Sequence, residues 1–449
     1  MARKEIADIA AARLSPAALA HNFEDVAPAL DRRGALIAAQ RCYYCYDAPC
    51  ITACPTGIDI PSFIRSIATD DLKGSAQTIL SANILGGMCA RVCPTEILCE
   101  GDCVRNQDGD QPVQIGALQR YATEWVYPSG EQLFDRAPAS GKRVAVVGAG
   151  PAGLSAAHML ARAGHAITIF DANPKPGGLN EYGIAAYKVP GFAQREIEWL
   201  VGIGGIEIVN GAVLGSNLKL SELRRDFDAV FLGIGLGGVN ALALEGESLP
   251  GVGNAVDFIA HLRQSPLDNV AVGRRVVVIG GGNTAIDAAI QSKKLGAQSV
   301  TMVYRRGAES MGATLIEQEF AKSEGVNIIH WAAPRRLLDV DGLLTAIEFE
   351  YTQLDEAGRL LGTGERFALS ADSVLKAIGQ VLVPGPLSED GTELLETRAG
   401  RIAVNADFQT SLARVWAGGD CVGGKLDLTV QSVEDGKRAA LAMHRALTF

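Results

Sequence analysis

The five residues Arg143–Val147 read RVAVV, an apolar run stopped by the turn Gly148-Ala149-Gly150-Pro151-Ala152-Gly153. A stretch of small residues follows, and Ile167–Phe170 forms a second short apolar run. Short apolar runs between turn signals read as buried strands, and the Ala- and Gly-rich stretch as a helix packed closely against them. The same order returns at Arg275–Ile279, Gly280–Gly282, Thr284–Leu295 and Ser299–Tyr304. Strand, glycine turn, helix and strand, occurring twice, predict two parallel-sheet units of the dinucleotide-binding kind.

Upstream the pattern changes. From Met1 to about Ser140 it is helical, interrupted by Pro49, Pro55, Gly57, Pro61, Pro94 and Pro112. Helices are expected at Arg3–Leu14, Pro16–Val26, Ile60–Thr69, Leu72–Ala82 and Ile115–Val126, and Tyr127–Lys142 reads as a linker. Near the other end, strands at Ile402–Val404 and Val415–Trp416 precede a helix that follows Thr429. The expected architecture is α/β with an α-helical N-terminal domain and two Rossmann-type domains, one inserted in the other. The boundaries read as 1–140, 141–253, 254–375 for the insert, and 376–449.

Composition narrows the classes. A chain of 449 residues suggests roughly two to four domains. The net charge of −10 argues against a partner bound through nucleic-acid phosphates. No apolar run approaches the ~18–20 residues of a membrane span, and Met1–Asn22 mixes charges without the layout of a signal peptide. A cytoplasmic chain with no nucleic-acid and no membrane partner is expected.

Eight of the nine cysteines lie between Cys42 and Cys103. Their spacing is Cys42-x2-Cys45-x4-Cys50-x3-Cys54-Pro55, then Cys89-x3-Cys93-Pro94-x4-Cys99-x3-Cys103. Short spacings deliver several thiolates from one loop to an iron–sulfur cube, and a proline after the cysteine recurs in ferredoxin-type runs. Zinc would need two all-cysteine sites with tighter knuckles than these, because no histidine lies inside the block. A disulfide framework belongs to exported chains. Eight cysteines therefore point to two [4Fe–4S] clusters, with Cys89 the eighth ligand by spacing alone.

In the first glycine turn, Gly148 makes the bend, Gly150 lets a pyrophosphate approach, and Gly153 permits helix–sheet contact. Asp171, ending the second strand, is placed to accept from ribose hydroxyls. In the second turn, Gly280, Gly282, Asn283, Thr284 and Ala285 play the corresponding part, and the following strand ends in Arg305-Arg306. Arginines there suit a 2′-phosphate and favour NADP(H) over NAD(H), a solvated basic pair being the alternative. The late turn Ala417-Gly418-Gly419-Asp420 could approach a flavin's ribityl chain. No arrangement of a nucleophile, base or paired carboxylates stands out, so no catalytic acid or base is assigned and cofactors carry the reaction.

These residues resemble a known family. Cys45-Tyr46-Asp47-Ala48-Pro49-Cys50, Cys54-Pro55-Thr56, Phe63–Ile67 and Cys89–Thr95 are similar to the amino-terminal half of dihydropyrimidine dehydrogenase and to the electron-transfer subunit of its bacterial form. Phe231–Leu236 and Val430–Lys437 match too, so the resemblance runs from about Ala39 nearly to the end. The wider group includes the glutamate synthase small subunit, the alternative reading, as is another ferredoxin-type reductase. The resemblance implies one cluster on Cys42, Cys45, Cys50 and Cys103, and a second on Cys54, Cys93, Cys99 and the amide oxygen of Gln119, which leaves Cys89 as a buried hydrophobe. It implies FAD on Gly148, Gly150, Pro151, Ala152, Gly153, Leu154, Asp171, Gly178, Leu179, Lys188, Gly419, Asp420 and Thr429. The dinucleotide would meet Gly280, Gly282, Asn283, Thr284, Ala285, Arg305, Arg306, Ala377, Ile378 and Gly379. NAD-using bacterial relatives carry acidic residues where Arg305-Arg306 stand, whereas the mammalian pattern has one more basic residue, replaced here by Ser310-Met311-Gly312. The chain ends at Phe449, so pyrimidine chemistry is expected on a separate FMN-containing subunit in a hetero-oligomer, an α2β2 heterotetramer.

Overall fold

The RVAVV run becomes the central strand of a sheet in a computed structural model that describes residues 6–383, 395–424 and 427–448. Strands Val415–Ala417, Ala229–Leu232, Arg143–Val147, Ala166–Asp171 and Ile206–Asn210 lie side by side in that order, all parallel. Val144 to Val147 are all buried, as a parallel strand covered on both faces requires. Helix Pro151–Arg162 packs along the carboxyl-terminal helix Thr429–Thr448, where Ser155 Oγ donates to the Val433 carbonyl at 2.7 Å.

This sheet belongs to a compact unit made of Ala27–Glu181, Gly191–Gly238 and Val381–Phe449. The cysteine region is therefore part of the same unit, built on helices Arg32–Gln40, Ile60–Ala68, Leu72–Ala82, Gly86–Val92 and Ile115–Glu124. Asp31, Asp59 and Asp71 cap the first three, accepting from the backbone N–H groups of Gly34, Ser62 and Gly74, each cap worth about 1 kcal/mol. Phe63, Ile64, Ile79 and Leu118 fill the space between these helices with no exposed surface.

The second unit comprises the chain up to Val26, Tyr182–Pro190 and Val239–Gln380. In sequence its segments Tyr182–Pro190 and Val239–Gln380 interrupt the first unit, and its N-terminal segment precedes that unit. Its parallel sheet has the order Val252–Asn254, Ser373–Lys376, Arg275–Ile279, Ser299–Tyr304, Asn327–His330. A three-stranded antiparallel sheet, Ala332–Val340, Leu343–Leu354 and Leu360–Ser370, belongs to the same unit.

Two local expectations are corrected. Arg3–Leu14 is not a helix: residues 3–5 lie outside the described residues, and Ile6–Leu14 is irregular, with Ala10 pairing backbone to backbone with Val272. Those long-range bonds take the backbone N–H and carbonyl of Ala10 away from a helix. The Tyr127–Lys142 stretch is packed in its middle, at Glu131–Phe134, with mostly exposed residues on either side. Leu133 and Phe134 are buried, Trp199 Nε1 donates to the Glu131 carbonyl, and Gln132 Nε2 donates to that of Trp199.

Candidate redox sites

The first glycine turn is held from both sides. Gly148 has φ +98°, and a methyl group on it would stand 2.3 Å from the Gly233 carbonyl oxygen. Gly153 is tighter still, with the Gly148 oxygen 1.9 Å from the place of a β-carbon. Gly150 differs: its β-position meets Gly178 Cα at 3.9 Å and nothing nearer. That leaves an open cradle over the start of helix Pro151–Arg162, where unpaired N–H groups and the helix dipole favour phosphate. Asp171 locks the cradle, accepting from Ala149 N at 2.6 Å and Asn173 N at 2.8 Å.

The structure brings several other expected residues to this cradle. A β-carbon on Gly419 would touch Ala152 Cβ at 2.9 Å, and Thr429 Oγ1 donates to Asn180 Oδ1, one residue past Leu179. Asp420 accepts from Ser432 Oγ at 3.2 Å; burial, and then Asp427, raise its carboxyl. Lys188 lies in the other unit, 2.9 Å from Asp287 and 2.8 Å from Glu317. Burial alone would lower its ammonium, but those two carboxylates outweigh it and raise it.

The second turn repeats the plan in the inserted unit. A methyl on Gly280 would stand 2.2 Å from the Ala377 oxygen, whereas the β-position of Gly282 is open. Asn283, Thr284 and Ala285 begin helix Asn283–Lys294. Asn240 anchors the rim, its N–H donating to the Gly379 carbonyl and its Nδ2 to that of Ile378. The main chains of Arg305 and Arg306 are pinned by Thr352 Oγ1 and Trp331 N, and the Arg305 side chain is exposed. Cation and open turn thus stand in one unit.

Among the cysteines the grouping is sharper. Cys42, Cys45, Cys50 and Cys103 line one cavity, with Ala48, Pro49, Ile60 and Ile64 as its apolar wall. Burial, reinforced by Cys42, Cys103 and Cys45, pushes the Cys50 thiol up to about 12. A second set gathers around Cys93, whose thiol is raised first by its hydrogen bond with Cys89, then by burial, and also by Cys99 and Cys54. Cys54 Sγ lies 3.3 Å from Thr56 Oγ1. Gln119 is buried on the facing helix, its Nε2 donating to the Gly86 carbonyl at 2.7 Å. Among the described residues, no three His, Cys, Asp or Glu side chains converge as ligands of a single ion would. Soft thiols spread around a cavity fit a polynuclear iron–sulfur group.

Helix Thr429–Thr448 joins the regions. Thr429 reaches Asn180 beside the cradle, and the next residue, Val430, packs with Cys89, Leu98 and Cys93. Further on, Lys437 Nζ donates to the carbonyls of Thr56 and Ala82. The sequence reading missed this helix as a connector, and it missed the buried Glu196–Tyr127–Arg91 network beside Cys89. No local pattern marks Glu196, which sits at ordinary helical spacing in AQREIEWLV.

Comparison with known proteins follows the same division. Residues 19–131 match the family described as dihydropyrimidine dehydrogenase domain II, 4Fe-4S cluster, and residues 142–436 the pyridine nucleotide-disulphide oxidoreductases. The chain is 34% identical to the NAD-dependent dihydropyrimidine dehydrogenase subunit PreT of Salmonella typhimurium, over 95% of this chain and 97% of that one. It is 32% identical to the glutamate synthase [NADPH] small chain of Halomonas elongata, over 94% and 92% of the two chains. FprA of Mycobacterium tuberculosis, solved in complex with NADPH, shares the fold at TM-score 0.57 and 22% identity, over 69% of this chain and 85% of that one. Among the described residues no helix is long and apolar enough to cross a membrane.

Proposed function

Because the chain belongs to the pyridine nucleotide-disulphide oxidoreductases, and among them to the PreT-like subunits of the wider glutamate synthase small-chain group, we propose that it is the electron-input half of a two-subunit dihydropyrimidine dehydrogenase. As an NAD(P)H-dependent FAD and iron–sulfur oxidoreductase it takes in electrons as a hydride and passes them on singly. Bound FAD supplies that conversion. Gly148, Gly150, Gly153, Asp171, Gly178, Gly419, Asp420 and Thr429 would hold it, and the open backbone at Gly282 with Arg305 and Arg306 would hold the dinucleotide. The thiols of Cys42, Cys45, Cys50 and Cys103 would carry one cluster, and those of Cys54, Cys93 and Cys99 with Gln119 the other.

The observation that carries this reading is the pair Thr429 and Val430. Consecutive residues of one helix touch the flavin cradle and the second thiol set, a short packed route between a two-electron and a one-electron site. The PreT relatives, named as dihydropyrimidine dehydrogenase subunits, support a role as one subunit of such an enzyme; reduction of uracil or thymine to the 5,6-dihydro product on an FMN-containing partner in a heterotetramer is the rest of the proposal. The exposed Arg305 and the half-buried Arg306 support NADP(H) ahead of NAD(H), although those relatives are named NAD-dependent.

The test is anaerobic stopped-flow reduction of the purified chain by NADPH and by NADH, with and without a candidate FMN subunit and uracil. Flavin bleaching by the nucleotide, with uracil turnover only when the partner is present, supports the proposal. Uracil reduction by the chain alone, or bleaching without turnover in the complex, refutes it. The second outcome favours the glutamate synthase reading, which the Halomonas match keeps open.

A further inference from the structure

Helix Gly86–Val92 carries Cys89 and ends at Cys93, and it starts on a peptide group that two side chains grip from opposite ends. The Gly86 carbonyl accepts from Gln119 Nε2 at 2.7 Å. The Gly87 N–H, the other end of that same peptide, donates to Glu196 Oε1 at 2.9 Å. Met88 N at 3.1 Å and the Tyr127 hydroxyl at 2.9 Å donate to the same carboxylate oxygen. Glu196, on helix Ala193–Val201, is 1% exposed. A methyl on Gly87 would stand 2.5 Å from Tyr127 Oη, 2.6 Å from Phe192 Cζ and 2.8 Å from Glu196 Oε1. The carboxylate can approach this peptide because residue 87 has no side chain.

The charged groups facing Glu196 come from three elements. Arg91, on the helix beginning at Gly86, is the cation; its guanidinium lies 3.5 Å over the Phe192 ring and donates to the Gly87 carbonyl and to Glu124. Arg120 and Glu124, on the helix bearing Gln119, form an ion pair that shares Arg91's counter-charge. Tyr127 approaches from the following turn. Burial pushes the Glu196 carboxyl up to about 7, a rise that Tyr127, Met88 N and Arg91 hold in check.

We propose that Glu196 is a positioning residue that tunes the iron–sulfur site next to it, taking up one proton from solvent when that site accepts one electron. This rests on the reading that Cys54, Cys93, Cys99 and Gln119 hold a cluster. One electron enters the cluster and one proton converts a carboxylate to a carboxylic acid, so charge is conserved locally and no further reactant is needed. The coupling has two parts of the same sign. A buried anion opposes added negative charge nearby. Ionised, it also pulls on the Gly87 N–H, the polarised peptide pulls on the Gln119 amide N–H, and electron density moves toward Gln119 Oε1, the ligating end. The ionised carboxylate therefore lowers the potential, and protonation raises it.

The experiment is an EPR-monitored potentiometric titration of the full-length holoprotein from about pH 6 to about pH 9, across the carboxyl's range, on wild type, Glu196→Gln and Tyr127→Phe. In wild type, one cluster's midpoint potential falls as pH rises and flattens at either end. In Glu196→Gln it is flat and stays at the acid-side value. Tyr127→Phe removes a donor to the carboxylate and moves the bend to higher pH, which keeps the test alive if the glutamine variant does not fold. Two clusters per chain with no slope in wild type, or a slope that survives in Glu196→Gln, overturns the proposal alone. Iron and sulfide analysis showing one cluster per chain overturns the ligand reading and the proposal with it.

Discussion

Gly150 and Gly153 stand three residues apart in one turn, yet the structure gives them different work, and replacing each with alanine separates the two. At Gly153 the new methyl would lie 1.9 Å from the Gly148 carbonyl oxygen, so the helix must move away from the turn by more than 1 Å to reach ordinary contact. Overpacking of this kind costs about 1–3 kcal/mol. Gly150 has φ −76° and ψ −178°, which alanine adopts freely, and its methyl would meet Gly178 Cα at 3.9 Å. Its cost to the apoprotein is confined to the poorer helix cap, about 1 kcal/mol or less. The methyl would, however, fill the space that lets a phosphate reach the backbone. Losing one hydrogen bond to a charged group costs about 1.5–3 kcal/mol, which is roughly 10- to 100-fold in affinity. The assay is FAD titration by flavin fluorescence quenching alongside chemical denaturation of the apoprotein. Gly150→Ala should keep apoprotein stability and lose FAD affinity, and Gly153→Ala should lose both. Equal stability loss in the two variants, or stoichiometric tight FAD in Gly150→Ala, would refute the argument.

The second site and the first thiol set carry their own tests. Replacing Arg305 and Arg306 together with serine should lower kcat/KM for NADPH by about 10-fold, each exposed charge–phosphate contact being worth about 1 kcal/mol or less, with little change for NADH. An equal effect on both nucleotides would remove these arginines from specificity. In the iron-free chain, Cys50 holds its thiol up to about 12 through burial and the neighbouring Cys42. Since the thiolate is the reactive form, iodoacetamide should label Cys50 slowly at neutral pH and faster as pH rises toward that value. Peptide mapping that shows Cys50 alkylated at neutral pH as fast as free cysteine would contradict the cavity's effect.

The two Gly-rich repeats were legible because each constraint is local: strand, turn and helix are contiguous, and the sterics of Gly148 and Gly280 leave little choice of residue. The insertion followed from their order. The hairpin Val340-Asp341-Gly342-Leu343 was equally legible and went unread: Asp341 and Gly342 both adopt positive φ, 52° and 76°, as an Asp-Gly turn between alternating strands requires. Other features were beyond local reading. Ile6–Leu14 has helical composition, but its backbone is claimed by Val272, far away in sequence. The family resemblance assigns Lys188 to the flavin, while its charge is met by Asp287 and Glu317, on two separate helices far along the chain. Glu196 looks like a surface glutamate in its own helix, and becomes a buried ligand of a peptide group through Gly87 and Tyr127.

The eighth ligand is where spacing and geometry pull apart. Cys89 belongs to the regular x3 spacing with Cys93 and shares a hydrogen bond with that thiol. It is also 1% exposed and packed against Leu98 and Val430, the surroundings of a small hydrophobe. Gln119 is held differently. Its amide nitrogen is committed to the Gly86 carbonyl, which fixes the plane of the carboxamide and points the oxygen the opposite way, as a metal-ligating side chain with a second partner is oriented. If Gln119 is the ligand, Cys89→Ala removes one buried sulfur at a cost like that of Ile→Val, about 1 kcal/mol, and leaves both clusters in place. Gln119→Leu keeps the volume, removes the ligating oxygen and frees the Gly86 carbonyl, so it should lose the second cluster while the set lined by Cys42, Cys45, Cys50 and Cys103 persists. Iron content and EPR of the two variants decide between them. A cluster lost in Cys89→Ala and kept in Gln119→Leu would return the eighth place to the thiol.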